Sequence, residues 1–450
     1  MANLVTKACW NAFTLWHART ERKLPYRPLA DVLALQSRRV QAMAAHAYRN
    51  VPFYRDAMEQ GGLKPGDFQT AADLAKLPLI DAHVFCDQPE RFLAKNFMHR
   101  SGLVLNSSGT SGRAKQIRYD ARALFLSLAN GHRQRIVFSK FSGKLLGYRE
   151  MSLTRLAGVS LQMRRFYESH SWTPSVMDLT RGKLPAGDLS IQDTVAGINE
   201  FRPDVLTGYG SYLGALFREV HRRKLEVYRP SLITYGADKM NDADRLLIEQ
   251  EFGIPVTSTY QCVEALRIGF FCEERRGFHL SLDAVSVRLV DDRGRDAEPG
   301  AAGHVVLSNL TNRATVLLNY RLGDVATLSQ APCPCGRTLP VIEALYGRSD
   351  DLLRLPDGRP MHALTVLEKL QAVPGVLQVQ IVQHTPRHFT LRVVGKSGVQ
   401  EAEAAAALIH ALRSKAGDEA HVGVQWMDTI TPGANGKVKA VVSQLEQTET

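Results

Sequence analysis

The sequence predicts an α/β protein in which a large, multi-part N-terminal domain with βαβ regions is followed by a small α+β domain. Three observations predict it. Between 145 and 310, strand-like apolar runs alternate with helical patterns, which implies parallel strands with binding loops at their ends. Near Gly347 the character changes to a hairpin-like alternation, one helix and a last strand, about 100 residues in all, the size of a small domain. Finally, 450 residues exceed one ordinary domain and supply apolar material for a sizeable core.

In chain order, Leu4, Val5, Ala8, Trp10, Phe13 and Trp16 are interrupted by Lys7, His17 and Arg19. An unbroken signal-peptide core is therefore missing, and the stretch reads as an amphipathic helix packed on its own domain or, alternatively, touching a membrane surface. Residues 29 to 48 have helical apolar spacing, broken by Val51-Pro52-Phe53-Tyr54. Thr70 opens a helix with Asp73 in its first turn, closed by Pro78 and Leu79. Asp120 caps a helix running to about Phe138. Strands are expected at 205–209, 232–236 and 255–260, with helices at 211–223 and 241–252 between them. In the small domain the strands are 378–382, 388–394 and 422–427, and the helix is 400–414.

Bulk properties exclude several classes. No run of about 18 apolar residues occurs, so no transmembrane helix is expected. A formal charge of +11 favours polyanionic partners, including nucleotides, coenzyme A and acidic carrier proteins. No zinc-finger spacing, basic helix or RNA-binding aromatic signature accompanies it, which argues against nucleic acid. Six cysteines without an export signal imply a reducing, cytoplasmic setting and no disulfide framework. A homodimer is left open.

The stretch Asn106 to Lys115 concentrates Ser107, Ser108, Thr110 and Ser111 around Gly109 and Gly112. Small residues let the backbone approach a ligand, and the N–H and O–H donors suit a polyphosphate. Extended runs on both sides, 101–105 and 115–119, predict a hairpin rather than the strand-to-helix turn of a Walker loop. A surface turn is the alternative on composition alone.

Downstream come Tyr260-Gln261-Cys262-Val263-Glu264, Tyr320-Arg321-Leu322-Gly323-Asp324, Gly347-Arg348-Ser349-Asp350-Asp351 and Asn435-Gly436-Lys437. Together and in this order with the hydroxyl-rich loop, they resemble the core motifs of the adenylate-forming superfamily of acyl-CoA synthetases and adenylation domains. His46-Ala47, Val51 to Tyr54, Asp73-Leu74, Leu77-Pro78 and Cys333-Pro334-Cys335-Gly336-Arg337 are similar to the phenylacetate-CoA ligase and capsule-enzyme-like branch.

The resemblance implies an adenylate-forming domain over 1–347 and a mobile lid domain over 348–450 that carries Lys437. It implies ATP, Mg²⁺ and a small carboxylic acid as reactants, with coenzyme A or a carrier-protein thiol as acyl acceptor. Ser107, Ser108, Gly109, Thr110, Ser111, Gly112 and Lys115 are expected at the phosphates, Glu264 at magnesium, Tyr260 against adenine, and Asp324 and Arg348 at the ribose. Lys437 is expected to stabilise the charge of the transition state once its domain closes, with Asp351 as pivot and Asp350 the near alternative. Tyr209, Tyr235 and Gly236 are expected near the acid pocket. Three positions depart from the family pattern: Gln261 stands for its glycine, Val263 for its hydroxyl residue, and Ala440 near where it often has arginine after Gly-Lys, with Lys439 as the candidate substitute. The second loses a contact to phosphate or to the metal shell, so a degenerate binding protein of the same fold is the alternative from another class.

Cys272, His279, Cys333 and Cys335 offer three thiolates and an imidazole, a tetrahedral zinc set of the structural type. The Cys-x-Cys spacing is unusual for zinc, and a buried thiol, a strand histidine and a reduced turn are the alternative. Members of the resembled branch carry a comparable Cys/His site, which favours the metal.

Overall fold

The structure, a computed structural model, describes residues 3–98, 102–106, 115–145, 147–154, 158–172, 180–240, 242–291, 293–348, 352–356, 360–371, 373–396, 398–430 and 440–445. The chain divides into two compact units, Met1–Lys239 with Ile248–Leu345, and Met240–Leu247 with Tyr346–Thr450.

The larger unit begins with α1 (Leu4–Glu21), α2 (Leu29–Asn50), α3 (Pro52–Gln60) and α4 (Ala82–Asp87). Val51 turns extended, as a residue before proline must, and this ends α2. Pro52 then opens α3 at a position where its missing N–H costs nothing. The start expected at Thr70 is a short 3-10 turn, Ala71–Lys76, in which Asp73 Oδ2 accepts from the Thr70 amide at 2.8 Å. Strands β1 (Leu103–Asn106) and β2 (Gln116–Tyr119) pair antiparallel, so the stretch singled out above is a hairpin. Its loop residues, Ser107 to Gly112 among them, lie outside the described residues.

Asp120 caps α5 (Ala121–Asn130), accepting from the Ala123 amide at 2.9 Å. The single helix expected through Phe138 is instead interrupted at Gly131 and resumes as α6 (His132–Ser142). At the interruption the Arg267 guanidinium donates to the Ser127 carbonyl at 3.1 Å, and a Cβ on Gly131 would stand only 2.9 Å from its Nη2, so only glycine leaves room for the arginine there.

Beyond it, β3 (Glu150–Thr154), α7 (Val159–His170), β4 (Arg181–Pro185), α8 (Ile191–Phe201), β5 (Val205–Tyr209), α9 (Gly210–Arg222), β6 (Leu232–Gly236), α10 (Asp242–Glu251) and β7 (Val256–Cys262) alternate. Their strands pair parallel in the order β4-β3-β5-β6-β7. The alternation expected up to 310 stops at β7. From there β8 (Leu266–Phe271), β9 (Phe278–Leu280), β10 (Val285–Val290), β11 (Gly303–Asn309), β12 (Tyr320–Leu328) and β13 (Val341–Arg348) extend the same sheet to 11 strands, without a helix among the described residues. Cys262 and Leu266 are too close in sequence for a crossover helix, so β8 must return antiparallel to β7. Tyr54, Phe85, Phe92 and Tyr320 are fully buried in the core between the helical start and this sheet.

In the smaller unit, β14 (Leu352–Arg354) and β15 (Pro360–His362) pair antiparallel, followed by α11 (Leu364–Gln371). The four-stranded sheet is ordered β18-β17-β16-β19, from β16 (Val376–Gln383), β17 (His388–Gly395), β18 (His421–Trp426) and β19 (Val441–Ser443). Helix α12 (Glu401–Ala416) sets Leu408 and Leu412 into a core with Ile381, Leu391 and Val393. The hairpin, helix and last strand expected here are present; α11, β14, β15 and β19 are additional.

Candidate active site

Parallel strands end on a common edge, and β5 and β6 finish there in register, Gly208 opposite Tyr235 and Tyr209 opposite Gly236. The three expected pocket residues thus share the carboxyl edge of the sheet, where open α/β sheets bind ligands. At Gly236 a Cβ would lie 2.8 Å from Thr259 Oγ1, so the strand here has no room for a side chain unless Thr259 moves.

Strand β7 runs into the turn 263–265, which carries Glu264. Tyr119 Oη donates to the Val263 carbonyl at 2.7 Å and Asn309 Nδ2 to the Glu264 carbonyl at 3.0 Å, fixing the turn from two sides. Leu266 leaves it at φ 61, left-handed backbone that a leucine adopts only when its surroundings hold it there.

Lys115, at the end of the hairpin loop, meets Glu264 149 residues away. Its Nζ donates to Glu264 Oε1 at 2.7 Å and to Tyr320 Oη at 2.8 Å. Both side chains of the ion pair are 6% exposed. Burial opposes the lysine's charge, but the Glu264 carboxylate outweighs it, and the ammonium is held above its ordinary range. Tyr320 is shifted in the same direction, since burial and then Glu264's charge keep its hydroxyl protonated. Beside this group Tyr260 Oη donates to Asp324 Oδ2 at 2.6 Å. The Tyr260 ring is 5% exposed and tilted onto Phe278, with ring centroids 5.7 Å apart.

Lys115 and Glu264 are therefore in direct contact, as are Tyr260 and Asp324. Sequence reasoning did not foresee either pairing. It assigned Lys115 to phosphate and Glu264 to magnesium, and here each satisfies the other. Tyr320 was missed as a site residue, and the one signal for it was its place at the head of the Arg-Leu-Gly-Asp run. Arg348 ends β13, with its side chain outside the described residues. Lys437, Asp350 and Asp351 also lie outside them.

A second cluster joins Cys272, His279, Cys333 and Cys335, whose ligand atoms all lie within 4.8 Å of one another. Cys272 directly follows β8, His279 is central in β9, and the other two precede β13. The Cys272 and Cys333 sulfurs are 3.7 Å apart, and Cys335 Sγ is 3.4 Å from His279 Nε2. Two sulfurs at about 2.3 Å from a tetrahedral ion stand about 3.8 Å apart, so the donor set fits zinc. Burial, helped by the Arg337 charge, pushes the His279 imidazole down to about 4 and keeps it in the neutral, ligating form. Burial also pushes the Cys272 thiol up to about 12. Around the cluster Arg337 pairs with Glu273 at 2.7 Å and Thr338 N donates to the Pro25 carbonyl at 2.9 Å, tying the loop to the N-terminal segment.

Comparison with known proteins agrees with this architecture. The family model of the CapK C-terminal domain matches residues 354–444. The chain is 27% identical to phenylacetate-coenzyme A ligase of Thermus thermophilus over 84% of its length and 81% of the relative's. It is 26% identical to the enzyme of that name from Aromatoleum evansii over 72% of each chain. Among solved structures, 2-hydroxyisobutyryl-CoA ligase in the postadenylation state superposes with a TM-score of 0.73 at 17% identity, over 94% of this chain and 92% of the other.

Fold and relatives together place the chain beside the CoA ligases: it shares the architecture of 2-hydroxyisobutyryl-CoA ligase, a large α/β domain followed by a small one, and is similar in sequence to phenylacetate-CoA ligases. Among those ligases, the relatives most of the chain resembles are phenylacetate-CoA ligases, and its C-terminal part matches the CapK C-terminal domain.

Proposed function

We propose that the chain is an ATP-dependent acid–thiol ligase that forms AMP. A carboxylate oxygen of the acid attacks the α-phosphorus of ATP; the bond to the bridging oxygen breaks, leaving acyl-adenylate and pyrophosphate. The thiol of coenzyme A then attacks the acyl carbon, loses its proton, and AMP departs. Such displacements need positioned charge rather than covalent help from the protein.

The observation that carries the reading is the buried contact of Lys115 with Glu264 and Tyr320, which joins the hairpin loop motif to two downstream motifs. Lys115 and Glu264 form a buried ion pair. Magnesium prefers carboxylate oxygen, so Glu264 is the residue that would hold it, and Lys115 is then available for phosphate. Magnesium would neutralise phosphate charge when bound. Lys437 is the further cation expected for the transition state. Asp324, which accepts from Tyr260, is the carboxylate expected at the ribose hydroxyls. The Cys/His quartet is proposed as a structural zinc site, closed by four protein ligands and tying β8, β9 and the loop before β13.

ATP–pyrophosphate exchange across a panel of aryl and fatty acids tests the proposal. Exchange that depends on the acid and disappears in Lys437→Ala is expected, with thioester formed once coenzyme A is added. Thioester formation only with a carrier protein, or transfer to an amine, would redirect the second step. No exchange with any acid would overturn the enzyme reading in favour of the degenerate binding protein that Gln261 and Val263 suggest.

A further inference from the structure

Helix α1 is apolar on two opposite faces, and the domain uses one of them. On the inner face Trp10 stacks on Phe125 with centroids 4.5 Å apart, Phe13 packs edge-on to Trp10, Thr14 is buried, and Glu21 pairs with buried Arg133. The outer face carries Leu4, Val5, Ala8, Ala12, Leu15 and Trp16, residues that the 3.6-residue period brings onto one side. Leu4 is 74% exposed, Val5 70%, Leu15 64% and Trp16 68%. Such a stripe costs solubility and needs an occupant to explain it.

Charge identifies the occupant. After Trp16 the same face turns basic, with Arg19, Arg22 and Lys23 exposed and Arg27 beyond them. From Leu4 to Leu33 the acids are Glu21, occupied by Arg133, and Asp31. An apolar face with a tryptophan at one end and a cationic cluster beside it is complementary to an anionic lipid surface, where the ring sits at headgroup depth and the cations meet lipid phosphates. A second copy of the chain is disfavoured by area: an 18-residue helix is about 27 Å long, and one face roughly 10 Å wide offers about 270 Å², against the ~800 Å² per partner of a stable interface.

We propose that α1 is a membrane-docking helix, holding this enzyme by its outer face on bilayers rich in anionic lipid. The catalytic domain then works at a bilayer surface, while the inner face of α1 remains packed on Phe125.

The test is vesicle co-sedimentation of the full-length protein with phosphatidylcholine vesicles, with and without phosphatidylserine. Binding is expected on the anionic vesicles and should fall steeply with added salt, a measurement that needs no variant. Arg19→Gln, Arg22→Gln and Lys23→Gln together should weaken it on the order of 100-fold, at about fivefold per cation. Leu15→Ser with Trp16→Ser should abolish it while circular dichroism stays unchanged, because both side chains face outward. Failure to bind anionic vesicles, or equal binding to neutral ones, would overturn the proposal. So would lipid-free self-association that the Leu15/Trp16 variant removes, which would assign the face to a second copy.

Discussion

Replacing Lys115 by methionine removes one charge of an ion pair whose side chains are 6% exposed and whose N···O distance is 2.7 Å. At an effective dielectric of about 20, the attraction across that distance is about 6 kcal/mol. Desolvation of both charges offsets much of it, so the pair's net contribution is small. The cost of breaking it is larger, because Glu264 then stays buried without its counter-charge: about 3–5 kcal/mol. Urea unfolding of wild type, Lys115→Met, Glu264→Gln and the double variant forms a thermodynamic cycle that measures this directly. The single lysine variant should lose several kcal/mol, and the double variant should recover most of it. The loss should also be constant between about pH 6 and pH 9. The lysine's folded pKa is raised, so its stabilisation is fully present below the unfolded value near 10.4 and disappears only as pH rises through the folded one. A single variant within about 1 kcal/mol of wild type, or double-variant losses that merely add, would refute the reasoning.

Two further outcomes concern the scaffold. Protein purified without added zinc should carry about one zinc per chain, lose thermal stability with a chelator, and lose both metal and chelator sensitivity in Cys335→Ser; only trace zinc with chelator-independent stability would end the assignment. Burial holds His17, His46 and His132 below the ordinary imidazole range. The unfolded chain takes up protons near pH 6.5 that the folded chain resists, so stability is full above that pH and falls below it. The urea midpoint should drop between pH 7.5 and pH 5.5, and the drop should shrink in His46→Gln; an identical drop in that variant would exclude His46 as a contributor.

The sequence by itself determined what depends on local pattern. Pro52 placed the break between α2 and α3, Asp120 the start of α5, and the period-2 and period-3.6 runs strands β5, β6, β7, β16, β17 and β18 with helices α2, α9, α10 and α12. Ordered motifs pointed to the relatives the chain resembles, and the residue types of Cys272, His279, Cys333 and Cys335 determined a donor set that the fold closes within 4.8 Å. What only the tertiary structure decided depends on partners distant in the chain. Arg267 packs against Gly131, 136 positions earlier in the chain, where no side chain would fit beside it. Tyr320 and Glu264 capture Lys115 across 205 and 149 residues, and Tyr260 captures Asp324 across 64. A sequence states which groups can carry charge or donate a hydrogen bond. Which of them satisfies which is settled by burial, because a charge taken out of water must take whatever counter-charge the packed chain brings to it.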